Sequence, residues 1–148
     1  MSVDSERKLQ NKVKHWLIDD LGYAFLGSLE DTHNLPIIEE LLKKNLEKRG
    51  YSKERIARAI SELTTRAANQ TDSLYQVNKS VYALLRYGLQ GVKDDAGQRE
   101  TVHYIDWTDV SKNDFYVAEE VSVLRYDGVT TKRPDIVLYV NGIALGMF

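Results

Sequence analysis

Apolar residues recur at helical spacing through the first 88 positions and at strand spacing after them. Leu9, Val13, Trp16, Leu17 and Leu21 lie three or four apart, which predicts a helix closed by Gly22. Ile37, Ile38, Leu41, Leu42 and Leu46 form a second stripe, beginning near Pro36, a residue suited to a first helical turn, and stopping at Gly50. Ser52 is positioned to cap a third helix carrying Ile56, Ile60, Leu63 and Ala67. Leu74, Val77, Val81, Leu84 and Leu85 make a fourth, ended by Gly88.

Beyond Gly88 the period changes. Val102–Trp107 reads as a short strand, and Phe115–Leu124 as a longer one with Val117, Val121 and Val123 on alternating positions. Ile136–Val140 is a continuous apolar run, as expected of a strand covered on both faces. Asn141-Gly142 then separates it from the apolar Ile143–Met147, the strongest short-range signal for a hairpin. The pattern predicts one α+β domain over 1–148, helical to residue 88 and mainly β from 89. Helix one should pack on a mixed or antiparallel sheet through Leu9, Val13, Trp16 and Leu17.

Composition narrows the function classes. The 148 residues are 43% apolar and 28% charged, enough for a real core and too apolar for a disordered chain. Twenty Lys+Arg against 22 Asp+Glu give a net charge of −2, which excludes a histone-like basic domain; nucleic-acid binding would need a local basic face. Lys43, Lys44, Lys48, Arg49, Lys53, Arg55 and Arg58 could offer one, although interleaved Glu39, Glu40, Glu47 and Glu54 favour a solvated, salt-bridged face. There is no cysteine, hence no disulfide framework or cysteine nucleophile, a usage compatible with the reducing cytoplasm. No apolar run approaches the ~18 residues of a membrane span. The three histidines are isolated and the glycines form no phosphate-cradling loop, so neither a histidine metal site nor a nucleotide-binding motif is expected.

Two acids stand out. Arg133-Pro134-Asp135 leads into the apolar strand and places a carboxylate at its mouth; the plainer alternative is a solvated turn Asp. Glu6 extends the stripe of helix one by a turn and should point toward the sheet, unless it merely complements the helix dipole. Glu119 and Glu120 adjoin within a strand, so only one can face the core, and a solvated strand face is the simpler reading for both.

Ser73-Leu74-Tyr75-Gln76-Val77-Asn78-Lys79 followed by Leu84-Leu85-Arg86-Tyr87-Gly88, Ile105-Asp106-Trp107 followed by Asn113-Asp114-Phe115-Tyr116-Val117, and Arg133-Pro134-Asp135-Ile136-Val137-Leu138-Tyr139-Val140-Asn141-Gly142-Ile143 resemble, in order and spacing, the N-terminal region of the restriction (R) subunit of type I restriction-modification enzymes. The opening, Ser5-Glu6, then Trp16-Leu17 and Leu21-Gly22-Tyr23, fits as well. The resemblance implies a restriction-endonuclease-like PD-(D/E)xK core with a helical insertion. It implies a magnesium (Mg2+) site with Asp135 as ligand and Glu6 as the helical acid, and double-stranded DNA as substrate. The partners it implies are ATP-driven motor domains and the modification and specificity subunits, in the cytoplasm. ATP would serve the motor and not bind this chain.

In that family the return strand carries Glu-x-Lys just after the position of Phe148. The chain therefore reads as a nuclease-domain fragment lacking its second carboxylate and lysine, and by itself inactive. A non-catalytic DNA- or protein-binding assembly module is the alternative, and a non-DNA hydrolase on the same fold a third.

The hairpin adds a geometric expectation. A strict two-residue turn pairs positions whose numbers add to 283, setting Asp135 against Phe148 and turning the following glutamate to the opposite face. Two carboxylates sharing one cation must face the same side, so one extra residue has to be absorbed by a longer loop or a bulge, with Gly142 and Gly146 as candidates.

Overall fold

The computed structural model describes residues 3–28, 33–34, 36–119, 122–124, 131–132 and 136–147. In chain order the elements are α1 (Val3–His15, prolonged by a π-helical turn Trp16–Asp20), β1 (Ala24–Ser28), β2 (His33–Asn34), α2 (Glu39–Lys48), α3 (Lys53–Ala67) and α4 (Leu74–Tyr87). They continue with β3 (Leu89–Lys93), β4 (Arg99–Val102), a 3-10 turn Val110–Lys112, β5 (Phe115–Glu119), β6 (Ser122–Leu124), β7 (Thr131–Lys132), β8 (Ile136–Val140) and β9 (Ile143–Met147). The fold is mixed α/β. It divides into an end unit, Met1–Ile37 with Phe115–Phe148, and a middle unit, Ile38–Asp114.

The end unit is built on a four-stranded sheet ordered β1-β5-β8-β9, in which β1 runs parallel to β5 and the other pairs are antiparallel. A smaller sheet has the order β2-β6-β7. Helix α1 meets the main sheet at Leu17, which is buried with Val117 and Ile136, while Val13, Ile18, Tyr23 and Leu138 pack around them. This corrects the expected face of the helix. Leu9 and Trp16 are each 52% exposed. At 100° per residue they lie about 80–100° round the helix from Leu17, on the flank. The helix is turned instead toward Lys14, whose ammonium reaches Glu119 and sits 5.1 Å from the centre of the Phe25 ring.

The β8–β9 hairpin turns at Asn141 and Gly142, both with positive φ (53° and 85°), as a type I′ turn requires. Pro36 and Ile37 belong here and not to a helix: Ala144 N–H donates to the Pro36 carbonyl at 2.8 Å, and Ile37 bridges to Ile143. Helix α2 consequently starts only at Glu39.

In the middle unit α3 packs against α2, α4 and the β3–β4 hairpin. Ser52 caps α3 by accepting from Arg55 N–H, as expected, and Ser73 with Gln76 forms a reciprocal capping box on α4. The predicted strand Val102–Trp107 is not one. β4 ends at Val102, outside the main sheet, and residues 103–107 continue as bends and loop in which Tyr104 and Ile105 are buried. The Tyr104 hydroxyl donates to the Ala59 carbonyl at 2.6 Å, and burial pushes its pKa well up. Gly88 is fixed by space: it has φ +79°, and a Cβ there would stand 2.7 Å from the Val102 carbonyl oxygen.

Candidate active site

The candidate site is the mouth of β8. Five consecutive pairs hold β8 to β5, from Phe115–Val140 to Glu119–Ile136. Directly opposed residues share a face, so Val117, Glu119, Ile136 and Leu138 all lie on the side that α1 covers. Glu119 is therefore on the covered face and only partly solvated. Its carboxylate takes Lys14 Nζ at 2.8 Å, both side chains being 20% exposed. Glu120 lies outside the described residues.

On the other flank of β8 the pairing shifts. Val140–Ile143 and Tyr139–Ala144 have numbers adding to 283; Leu138–Gly146 and Val137–Met147 add to 284. The turn keeps two residues and the extra one, Leu145, is absorbed as a bulge between Ala144 and Gly146. This is the displacement expected from carboxylate geometry. It falls beside Gly146, while Gly142 serves the turn.

Asp135, with Arg133 and Pro134, lies outside the described residues. Glu6 is exposed on α1, where Leu9 is exposed too; the buried part of the stripe starts at Val13. On the helical period Glu6, Val13 and Leu17 nevertheless fall within about 40° of one another, so Glu6 continues the line that ends against Ile136. Among the described residues no three of His, Asp and Glu gather as metal ligands.

The basic run of α2 and α3 does not form one free surface. Arg55 is buried, donating to the carbonyls of Val92 and Gln98 and pairing with Asp94 at 3.3 Å and Glu100 at 3.1 Å. Arg49 donates to Asn45 Oδ1 and to the Tyr104 carbonyl, and Lys48 pairs with Asp114 at 2.6 Å. Lys43, Lys44, Lys53 and Arg58 remain exposed. Neither the Lys14–Glu119 pair nor the structural use of Arg55 is visible in a linear pattern, because each joins elements far apart in sequence.

The motif residues 105–114 have a structural explanation. Asp106 N–H donates to Asn113 Oδ1 at 2.9 Å and Asn113 Nδ2 donates back to the Asp106 carbonyl at 2.8 Å. The Asp106 carboxylate accepts the N–H groups of Asp109 and Thr108, which holds its pKa below the usual value. Fully buried Asn45 ties α2 to the Lys112 carbonyl and to Asp114.

A mixed sheet with α1 on one face and a bulged hairpin at its edge is the framework of a nuclease-like α+β domain. The family model described as type I restriction enzyme R protein N terminus matches residues 4–148, and the chain belongs to that family. It is similar to a Methanocaldococcus jannaschii protein provisionally named the type I restriction enzyme MjaIXP endonuclease subunit, with 33% identity over 73 residues. That match covers 47% of this chain and 7% of the relative's length. No solved structure matches the chain. Among the described residues no helix is long and apolar enough to cross a membrane.

Proposed function

We propose that the chain is the nuclease module of a type I restriction R subunit, a PD-(D/E)xK domain that cuts double-stranded DNA within a larger ATP-driven complex. Its partners are the motor domains and the modification and specificity subunits, and it works in the cytoplasm. Asp135 is the carboxylate that would hold Mg2+, with Glu6 as the second. The observation that carries the reading is the one-residue shift between β8 and β9. Continued by two pairs, the shifted register sets position 149 against position 135. A glutamate there would share a face with Asp135, which the unshifted register forbids.

Magnesium, when bound, neutralises charge on the scissile phosphate and acidifies the attacking water. The chain's own residues position it. Lys14 and Glu119 tie α1 to β5, and the Leu17–Ile136 contact ties α1 to β8 beside Asp135. A lysine two positions beyond the glutamate would supply proton transfer or charge stabilisation, worth about 10²–10⁴-fold. Without it the 148-residue chain should not cleave.

The test is a magnesium titration by calorimetry on the wild type and on Asp135→Ala, with plasmid cleavage in parallel. Weak binding abolished by the substitution, no nicking by this chain, and weak nicking by a longer chain supplying Glu-x-Lys are expected. Robust nicking by the 148 residues, or binding indifferent to Asp135→Ala, overturns the assignment.

A further inference from the structure

The middle unit contains a cavity of about 310 Å³ that the nuclease reading does not use. Its walls include Arg49, Tyr51, Arg86, His103, Trp107 and Lys112. Trp107 is 55% exposed yet held in place: its Nε1–H donates to the Leu85 carbonyl at 2.9 Å and the Arg86 guanidinium lies 5.4 Å from its ring centre. Arg49 lies in the same way over Tyr51, at 5.6 Å.

The two acids in the wall are already engaged. Glu100 pairs with Arg55, and the Asp106 carboxylate is taken by Thr108 and Asp109 N–H groups and the Thr108 hydroxyl. Among the described residues neither Arg86 nor Lys112 is in an ion pair. The cavity thus offers a fixed, exposed indole beside two exposed cations, Arg86 lying over the ring and Lys112 near enough to Asp106 to help lower its pKa. A flat π surface next to cationic side chains suits an aromatic base joined to a phosphate.

We infer that this cavity binds one unpaired nucleotide of a DNA strand, its base against Trp107 and its phosphate against Arg86 and Lys112. The volume lies at the small end of ligand cavities, enough for one nucleotide unit and not for a duplex. Arg, Trp and Tyr are also common at protein interfaces, so an acidic protein surface is the alternative, and polyglutamate competition tests it. The inference rests on the DNA reading above but goes beyond it, since it concerns single strands and a site in the middle unit.

The test is fluorescence anisotropy of a labelled oligothymidylate with the 148-residue protein at low salt in EDTA. Magnesium takes no part, so the result is independent of the nuclease assignment. Unlabelled oligothymidylate, a duplex of equal length, free thymidine monophosphate and polyglutamate serve as competitors. Trp107→Leu should weaken binding about 5-fold or more, from a stacking contribution of about 1–3 kcal/mol per base, and Trp107→Phe should restore most of it. Arg86→Gln and Lys112→Gln should each weaken binding and lower the salt-dependence slope by about 0.7. These two side chains are exposed, so they decide the matter should Trp107→Leu fail to fold. Four results would each overturn the inference: no oligonucleotide binding, binding unchanged in correctly folded Arg86 and Lys112 variants, duplex or polyglutamate competing as well as the single strand, or thymidine monophosphate displacing it equally well.

Discussion

The two units hold themselves together differently. In the end unit the described interior is apolar apart from the turn residue Asn141, and its described cross-element ion pair, Lys14–Glu119, is partly exposed. The middle unit buries Asn45, Arg55 and Asn113, and each of them ties secondary structure to loops or a hairpin. Apolar burial is non-directional and tolerates adjustment. Buried polar groups must find particular partners, so they fix geometry at the risk of heavy loss when one partner goes. The geometry of the middle unit is therefore set by directional contacts to a greater degree than that of the end unit.

Arg55→Ala should have the largest effect, costing about 3–5 kcal/mol because it strands the Asp94 carboxylate and two hairpin carbonyls. Urea unfolding read through Trp107, with Trp16→Phe as background, reports the middle unit. A loss below about 1 kcal/mol would mean that water replaces the guanidinium readily and the contrast between units is overdrawn. Leu17→Ala should cost about 2–5 kcal/mol, read through Trp16 in a Trp107→Phe background, since it opens a cavity between Val117 and Ile136. Asn45→Ala should cost about 1–3 kcal/mol, removing the amide that donates to the Lys112 carbonyl and to the Asp114 carboxylate.

Lys14→Met should be the mildest substitution, at most about 1 kcal/mol, since the pair is partly solvated and the methionine stem still packs. A larger loss would show that the end unit also depends on a directional contact.

Acid sharpens the contrast further. Burial opposes ionisation of Asp114, but hydrogen bonds from Lys48 and Asn45 outweigh it and hold the carboxyl below its ordinary value. A carboxyl depressed in the folded state stabilises above its unfolded pKa of about 3.9 and loses that contribution as pH falls through the folded value. Stability measured through Trp107 should decline below about pH 4, and Asp114→Asn should flatten that decline.

How much of this was legible in the sequence depends on distance along the chain. The stripes of α2, α3 and α4 and the Ser52 cap are local and were readable; so was the Asn141-Gly142 hairpin, whose turn type follows from two residues. β1 has no local signature, because Ala24–Ser28 is short and carries no alternation, and its parallel partner lies far away. Val102 and Tyr104 imitate a strand, but Tyr104 is buried to reach Ala59, a tertiary contact without local signature. The α1 stripe predicts contact through Leu9, Val13, Trp16 and Leu17, but only Val13 and Leu17 meet the sheet, a choice among stripe residues that depends on Val117 and Ile136, distant in sequence. A longer loop or a bulge at Gly142 or Gly146 follows from chemistry and not from pattern, because two carboxylates meeting one ion require a displaced register; the extra residue in the structure is Leu145, beside Gly146.

The parallel pairing of β1 with β5 has a consequence in time. Val140 and Ile143 are separated by a two-residue turn, and such a hairpin closes in about 1–10 μs once it exists. Ala24 must wait for Tyr116, ninety-two residues later. At about 5–20 residues per second a ribosome needs roughly 5–20 s to deliver it. During that wait the first strand has no partner, while the uninterrupted segment Ile38–Asp114 can complete its own contacts. The portion of the chain made first is thus among the last to be finished, and a nascent chain stalled between the two strands would display an unpaired edge to its neighbours.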